Sequence, residues 1–338
     1  MNMSMKIVLA TMAAGALVGT AAAQSLNGAG ATFPAAIYGK WFEEYRKAHP
    51  KTEINYQSIG SGGGITQLTA GTVDFGASDA PMTDAEIAKL KVRPLHFPTV
   101  LGADVITYNL PVVKQPLKMD SAVVAGIYMM KIKKWNDPAI AKLNPGVKLP
   151  GDDIVVVHRS EGSGTTYIFT EYLTKTSPEW AKGPGTSKQP KWPGGLGAQG
   201  NEAVAGMVKQ TPGAIGYVEL GYVLQNHMQS ALLKNAEGEF VEATTASVTA
   251  AAAAAAKTMP ADFRVSITAA KGKGAYPAAS FTWLLIPSKI QDPAKKAAIV
   301  DFLKWMLTTG QQYCANLGFA PLPKSVVDLE TKQISQVQ

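Results

Sequence analysis

The chain has 338 residues, 46% of them hydrophobic and 17% charged, with a formal net charge of +7. That length can bury a substantial core, with two domains as the prior, and the low charge excludes a disordered tail protein. A single cysteine, Cys314, excludes an intrachain disulfide, and His49, His96, His158 and His227 lack metal-ligand spacing, so no metal or other cofactor is expected.

Lys6 precedes an apolar run from Ile7 to Val18, and Thr20-Ala21-Ala22-Ala23 puts small residues at the −1 and −3 positions before Gln24. This predicts a secretory signal peptide over residues 1–23, cut after Ala23. A spanning anchor would need about 20 apolar residues, more than this run holds. No cysteine follows Ala23 to receive a lipid, so the mature chain is expected to be soluble, exported and not inserted in the membrane. Cleavage removes one Lys and no acid, taking the balance from 32 − 25 = +7 to 31 − 25 = +6. A mild basic excess favours small anions or acidic surfaces. It is not gathered into a basic, aromatic-studded tract, so no nucleic acid is expected.

Ser25 to Phe33 reads as a short strand giving way to a Gly-rich turn. Pro34 suits the first turn of a helix, with Thr32 as its candidate cap and Ile37, Trp41, Phe42 and Tyr45 on one face. Glu53 to Gln57 alternates as a strand and runs through Ser58-Ile59-Gly60-Ser61-Gly62-Gly63-Gly64 into a helical Ile65 to Leu68. Val73, Phe75 and Ala77 alternate again, and Asp79 emerges after Ser78. Asp79 could cap a helix from Asp84 to Leu90, although Thr83 or Asp84 is better placed. Phe97 to Asn109 reads as one or two buried strands. Pro111 and Pro116 then mark a candidate crossing between domains, and Tyr276-Pro277 a second. Ser121 to Met130 reads as a helix, and the lysines of Lys131 to Lys134 as a solvated face.

Ile154 to Tyr167 is the densest signal: a β-branched run, Arg159, a Glu161-Gly162-Ser163-Gly164 turn, then Thr165 and Thr166 at a helix start. One of Ser163, Thr165 and Thr166 should cap that helix. A strand feeding such a turn aims unpaired N–H groups and a helix dipole at one place, and a forked Arg beside them suits a tetrahedral oxyanion. Read alone, the stretch fits a tight turn with Arg159 paired to Glu161 as well as it fits an anion site. Three strand, Gly/Ser-turn, helix units in one chain favour the anion site, because their helix N-termini can converge.

Further on, Thr186 to Gly200 is a loop leading into a helix from Asn201 to Gln210, and Ala214 to Glu219 is a strand. Thr249 to Lys257 reads as an exposed, alanine-driven helix. Phe281 to Ile286 is a buried strand, and a helix from Pro293 to Leu307 follows it. Strands alternating with helices throughout define an α/β protein. A nucleotide P-loop is missing its Lys after Gly60 to Gly64, and neither Ser61 nor Ser163 has the glycines of a hydrolase elbow. The residues are equipped to grip an anion rather than to cut one.

Several motifs carry a likeness: GAGATFP at Gly28 to Pro34, IGSGGG at Ile59 to Gly64 and VDFGASDAP at Val73 to Pro81. KIKKWND at Lys131 to Asp137, RSEGSGT at Arg159 to Thr165 and PGAIGYVE at Pro212 to Glu219 follow in the same order. In these the chain resembles the periplasmic phosphate-binding proteins of bacterial phosphate import systems. The resemblance implies a two-lobed periplasmic-binding-protein fold (type II), with residues 24–109 and 277–338 in one lobe and 110–276 in the other. It implies inorganic phosphate held without metal by Ala31, Thr32, Phe33, Ser61, Asp79, Arg159, Ser163, Gly164 and Thr165. Glu161 stands where the family usually has an Asp supporting the Arg. It further implies a monomer in the periplasm whose closed form docks on a membrane permease driven by a separate ATPase.

Within that resemblance Asp79 acquires a reason. Phosphate near neutral pH still carries a proton and can donate to a carboxylate, whereas sulfate would set lone pairs against lone pairs. Rival readings are a receptor for sulfate or molybdate, a secreted phosphoesterase using Ser163 or Thr32 as nucleophile, and a surface adhesin.

Overall fold

A computed structural model describes residues 24–255 and 259–338; the expected signal peptide over 1–23 and Lys257, the expected end of the alanine-rich helix, lie outside the described residues. The chain opens with three short parallel strands on one another: β1 (Gln24–Gly30) lies between β2 (Thr52–Ser58) and β3 (Phe75–Ser78). Helices α1 (Ala35–Ala48) and α2 (Ser61–Ala70) link them. The periodic face of α1 is buried through Ile37, Tyr38, Trp41 and Tyr45, and Phe42 and Tyr45 pack on Phe302. Thr32 does not cap α1: Pro34 occupies the cap position, and the Thr32 hydroxyl turns instead toward Asn201. The next helix, α3 (Asp84–Ile87), is shorter than its pattern suggested and is capped by Thr83 with Glu86 reciprocating.

Then comes β4 (Pro94–Tyr108), one continuous buried strand rather than two. The second group of elements begins with β5 (Lys118–Met119), α4 (Ser121–Tyr128) and α5 (Pro138–Leu143). It continues through β6 (Val155–Arg159), α6 (Gly164–Thr176), α7 (Pro178–Lys182), β7 (Leu196–Ala198), α8 (Gly200–Gln210) and β8 (Ala214–Glu219). After α9 (Leu220–Asn226) come the short strands β9 (Gln229–Ser230), β10 (Leu232–Lys234) and β11 (Phe240–Val241), then α10 (Thr245–Ala255). The chain returns through β12 (Ala279–Pro287) and closes with α11 (Pro293–Leu307) and α12 (Lys324–Gln333).

Among the described residues nine strands form one mixed sheet, ordered β2-β1-β3-β12-β4-β8-β6-β7, with β9 beside β4. The division into two lobes runs through β4. Its first part, Pro94 to Ala103, pairs antiparallel with β12, and its last part, Asp104 to Tyr108, pairs antiparallel with β8. One strand therefore belongs to both lobes, and the crossing expected near Asn109-Leu110 lies just beyond its end. Each lobe has its own aromatic core. Around α1 and α11 it is Tyr38, Trp41, Tyr45 and Phe302, and in the second lobe Phe169 stacks on Tyr217 with Tyr128, Trp180 and Trp192 around them.

One further expectation changes. Helix α10 is not an exposed alanine rod: Val248, Ala251 and Ala252 are buried, and the helix packs on β4 and β12. Small side chains let a helix lie close to a sheet, which composition alone does not distinguish from a solvent-facing helix. The basic run is the solvated face its pattern suggested: Lys131, Lys133 and Lys134 are exposed, with Lys131 paired to Glu179 and Lys134 to Asp153 at 2.9 Å on the surface. Cys314 is buried, and burial pushes its thiol up to about 12, which leaves it unreactive.

Helix α2 sits so near the β1–β3 pair that a Cβ on Gly64 would stand 2.5 Å from the Gly30 Cα and 2.6 Å from the Ala29 carbonyl oxygen. Backbone cannot yield as a side chain can. Gly64→Ala should therefore lower unfolding stability by about 3 kcal/mol in a urea titration, at the upper end of overpacking costs. A change under ~0.5 kcal/mol would mean that α2 is free to shift.

Candidate functional site

The parallel register brings the loops to one edge. Gly30 is level with Ser58 and with Ala77, so the loops after β1, β2 and β3 leave the first lobe together. In the second lobe Arg159, at the end of β6, is level with Ala198 of β7, so the turn into α6 and the turn into α8 leave together. The carboxyl ends of parallel strands are where α/β sheets bind ligands. The two edges face one another. Gly62 N–H donates to the Gly162 carbonyl across the gap at 2.8 Å. A Cβ on Gly164 would stand 2.3 Å from Ser61 Oγ and 2.5 Å from Asp79 Oδ2, so only glycine lets α6 approach the first lobe this closely.

Arg159 is buried to 2% exposure. Its Nε–H donates to Glu161 Oε1 at 2.9 Å, a second N–H reaches the same oxygen from Nη2, and Nη1 donates to Thr165 Oγ1 at 3.1 Å. A guanidinium has five N–H donors, so about two are left for a ligand. Glu161 Oε1 also accepts from Gly200 N–H at 3.0 Å. The longer acid thus holds the Arg through one oxygen. Its other oxygen is buried with no partner among the described residues.

Ser163 caps α6 as its pattern required, its Oγ accepting from Thr166 N–H at 3.0 Å. Gly164 and Thr165 follow in the first turn, where N–H groups have no intrahelical acceptor. Across the gap, Ser61 Oγ donates to Asp79 Oδ2 at 3.4 Å and accepts from Asp79 N–H at 3.1 Å. Thr32 is buried between the lobes. Ala31 contributes differently: its N–H is spent on the Ala77 carbonyl at 3.0 Å, and its carbonyl accepts from the Tyr56 hydroxyl. The Phe33 ring packs edge-on against Phe319, so any contact with a ligand would come from its backbone.

Among the described residues Asp79 is the one carboxylate facing these donors from the first lobe. Burial raises its pKa from 3.8 to about 7, against the opposing pull of Thr282, Arg159 and Ser61. Thr282 Oγ1 donates to its Oδ1 at 2.7 Å, which orients the carboxyl and leaves Oδ2 toward Ser61 and the cleft. Behind the site Asp104 and Glu219 pair across β4 and β8, and burial pushes both carboxyls well above their usual range. Both Asp104 oxygens lack a partner among the described residues, so neutral carboxyls at this crossing fit better than two charges.

The sequence reading missed residues that act at long range. Asn201 is fully buried and donates from Nδ2 to Thr32 Oγ1 at 2.7 Å and to Thr165 Oγ1 at 3.1 Å. Thr282 orients Asp79, and the Tyr217 hydroxyl bonds both Arg159 N–H and Thr166 Oγ1. Asn201 alone had a legible signal. It is the second residue of α8, which starts at Gly200 one residue after β7, so a fourth strand, glycine turn and helix begins within a stretch that reads as plain loop. No group of three or more His, Cys, Asp or Glu placed to hold a metal occurs among the described residues.

Two lobes on a shared sheet, closing over a buried cluster of hydrogen-bond donors, define a substrate-binding protein, and residues 17–309 match the PBP superfamily domain. The phosphate-binding protein PstS of Xylella fastidiosa (strain Temecula1) is 43% identical over 303 residues, covering 89% of this chain and 82% of that protein. PstS of Haemophilus influenzae is 41% identical over 308 residues, covering 91% of each. Among solved structures, a phosphate-binding protein from Stenotrophomonas maltophilia superposes with a TM-score of 0.72 at 21% identity, over 92% of this chain and 94% of that one, a likeness of fold. The chain belongs to the PstS family of phosphate-binding proteins within the PBP superfamily.

An acid raised by burial is protonated in both folded and unfolded chains below about pH 4 and costs stability as pH climbs through about 7. Asp79→Asn mimics the neutral acid. In phosphate-free protein it should match wild type near pH 4 and exceed it by about 2–4 kcal/mol at pH 8, read by urea unfolding across that range. A pH-independent difference would place the Asp79 carboxyl outside this window.

Proposed function

We propose that this chain is the receptor of a phosphate importer: it binds inorganic phosphate between its two lobes and delivers it to a membrane transporter. The observation that carries the reading is the pairing of a donor-rich wall with one buried acceptor. Arg159, Gly164 and Thr165 offer N–H groups and Ser163 a hydroxyl, whereas Asp79 offers a carboxylate held by Thr282. A tetrahedral anion that keeps a proton satisfies both sides at once. Sulfate or molybdate would leave Asp79 facing an oxygen without a hydrogen, so those rivals are disfavoured.

The nine residues named from the resemblance are proposed as the phosphate shell. Thr32, Ser61, Asp79, Arg159, Ser163, Gly164 and Thr165 are supported by their burial and convergence, Phe33 through its backbone, and Ala31 as the carbonyl that anchors Tyr56. Catalysis has little support: Ser163 Oγ is engaged as a helix cap, and no histidine hydrogen-bonds to Ser163 or Thr32 among the described residues. The chain is proposed to act as a monomer in the periplasm, after cleavage at Ala23, with the permease and ATPase as separate proteins. Among the described residues no helix is long and apolar enough to cross a membrane.

Binding is proposed to draw together one lobe of residues 24–109 and 277–338 and another of 110–276. Two contacts favour that closure: the Gly62–Gly162 bond and an ion pair between Glu86 of α3 and Lys188 of the loop after α7. These four residues line a cavity of about 650 Å³ beside the site. Glu86→Gln should speed phosphate release by about 2–5-fold in stopped flow, as expected of an ion pair still partly open to solvent, with little change in association. An unchanged release rate would remove the pair from the closing contacts.

Calorimetric titration with phosphate and then sulfate tests the reading. Wild type should bind phosphate and discriminate against sulfate by roughly 10⁴-fold or more. Asp79→Asn should lose most of that discrimination, whereas Arg159→Ala should weaken phosphate by about 10²–10³-fold with less change in selectivity. Discrimination that survives Asp79→Asn would locate selectivity elsewhere.

A further inference from the structure

We infer that Asn201 is the residue that sets the hydrogen-bond polarity of the site: it turns the hydroxyls of Thr32 and Thr165, one from each lobe, into obligate donors to the anion. The inference rests on the phosphate reading above and assigns a new positioning residue to it.

A hydroxyl has one proton and two lone pairs, so it can face a ligand as donor or as acceptor. At Thr32 both lone pairs are taken. Oγ1 accepts from Asn201 Nδ2 at 2.7 Å and from Asn201 backbone N–H at 3.2 Å. At Thr165 they are taken as well, by Asn201 Nδ2 at 3.1 Å and by Arg159 Nη1 at 3.1 Å. Each of these partners can only donate. Neither hydroxyl proton has an acceptor among the described residues, although both side chains are buried. A buried O–H without an acceptor is costly, so each proton is reserved for whatever fills the gap between the lobes.

The orientation of the Asn201 amide is itself determined. Its Oδ1 accepts from Glu219 N–H at 3.0 Å, and a backbone N–H can only donate, so the oxygen must lie on that side and the NH₂ toward the two threonines. Glu219 ends β8, which pairs with β4 where that strand passes between the lobes. The polarity of the site is thus referred back to the shared sheet. A single amide bridges hydroxyls from both lobes, so the donor pattern is complete only when the lobes are together.

Without the amide each hydroxyl is free to rotate and offer a lone pair to the anion. Asn201→Ala should raise the phosphate Kd by about 10–100-fold, roughly tenfold for each hydroxyl released. Loss of packing would give a similar number, so the deciding measurement is a double-mutant cycle by calorimetry. In a Thr32→Val background Asn201→Ala should cost about tenfold less than in wild type, because the hydroxyl it orients is gone. Asn201→Leu, which fills the same space, repeats the cycle without a cavity, and thermal unfolding verifies that each variant is folded. The same penalty in both backgrounds overturns the inference while leaving the phosphate reading intact. Failure of wild type to bind phosphate in the same series overturns that reading instead.

Discussion

The guanidinium of Arg159 is buried at the end of a strand, and a buried cation must be neutralised and hydrogen-bonded or it destabilises everything packed on it. Much of the cleft is arranged around that requirement. Glu161 supplies the countercharge through one oxygen, which Gly200 N–H also holds, so the turn into α8 is tied to the turn into α6. Thr165 accepts a third N–H, and Tyr217 fixes the Arg159 backbone from β8. About two N–H groups of the fork are left without a partner among the described residues. An anion bound beside it would complete the coordination, so a cation this deeply enclosed suits a receptor whose ligand arrives from water.

The opposing wall has the reverse problem. Asp79 is buried with hydroxyls and one distant cation for company, and burial raises its pKa to about 7. Near neutral pH such a carboxyl is poised to share a proton with its ligand rather than to bear a full charge. Charge attraction on one side and proton matching on the other are separate devices. They sit on opposite sides of the gap, so on the proposed reading both would act together only when the lobes meet.

Continuity of β4 makes this meeting geometrically simple. The strand pairs with β12 up to Ala103 and with β8 from Asp104, so the lobes share backbone hydrogen bonds rather than a loose linker. Asp104 and Glu219 lie at that change of partner, buried and favoured in the neutral form. A small bend in a shared sheet can move loop tips through larger distances, as in other hinged two-domain proteins.

Much of this was legible in local sequence. Although the reason for Asp79 came only with the family resemblance, short-range chemistry determined the alternation of strands and helices, the cap at Ser163 and the Arg159–Glu161 pair, because each depends on residues within a few positions of one another. Three of the four glycine turns could be read for the same reason. The partner of Thr32, the orientation of Asp79 by Thr282, the burial of α10 and the single run of β4 could not. Asn201 lies 169 residues from Thr32 and Thr282 lies 203 from Asp79, and no local pattern encodes such pairings. The sequence by itself determined which groups are equipped to grip an anion. Only the tertiary structure decided which way their protons point, because a hydroxyl acquires a direction from neighbours that the fold alone brings to it.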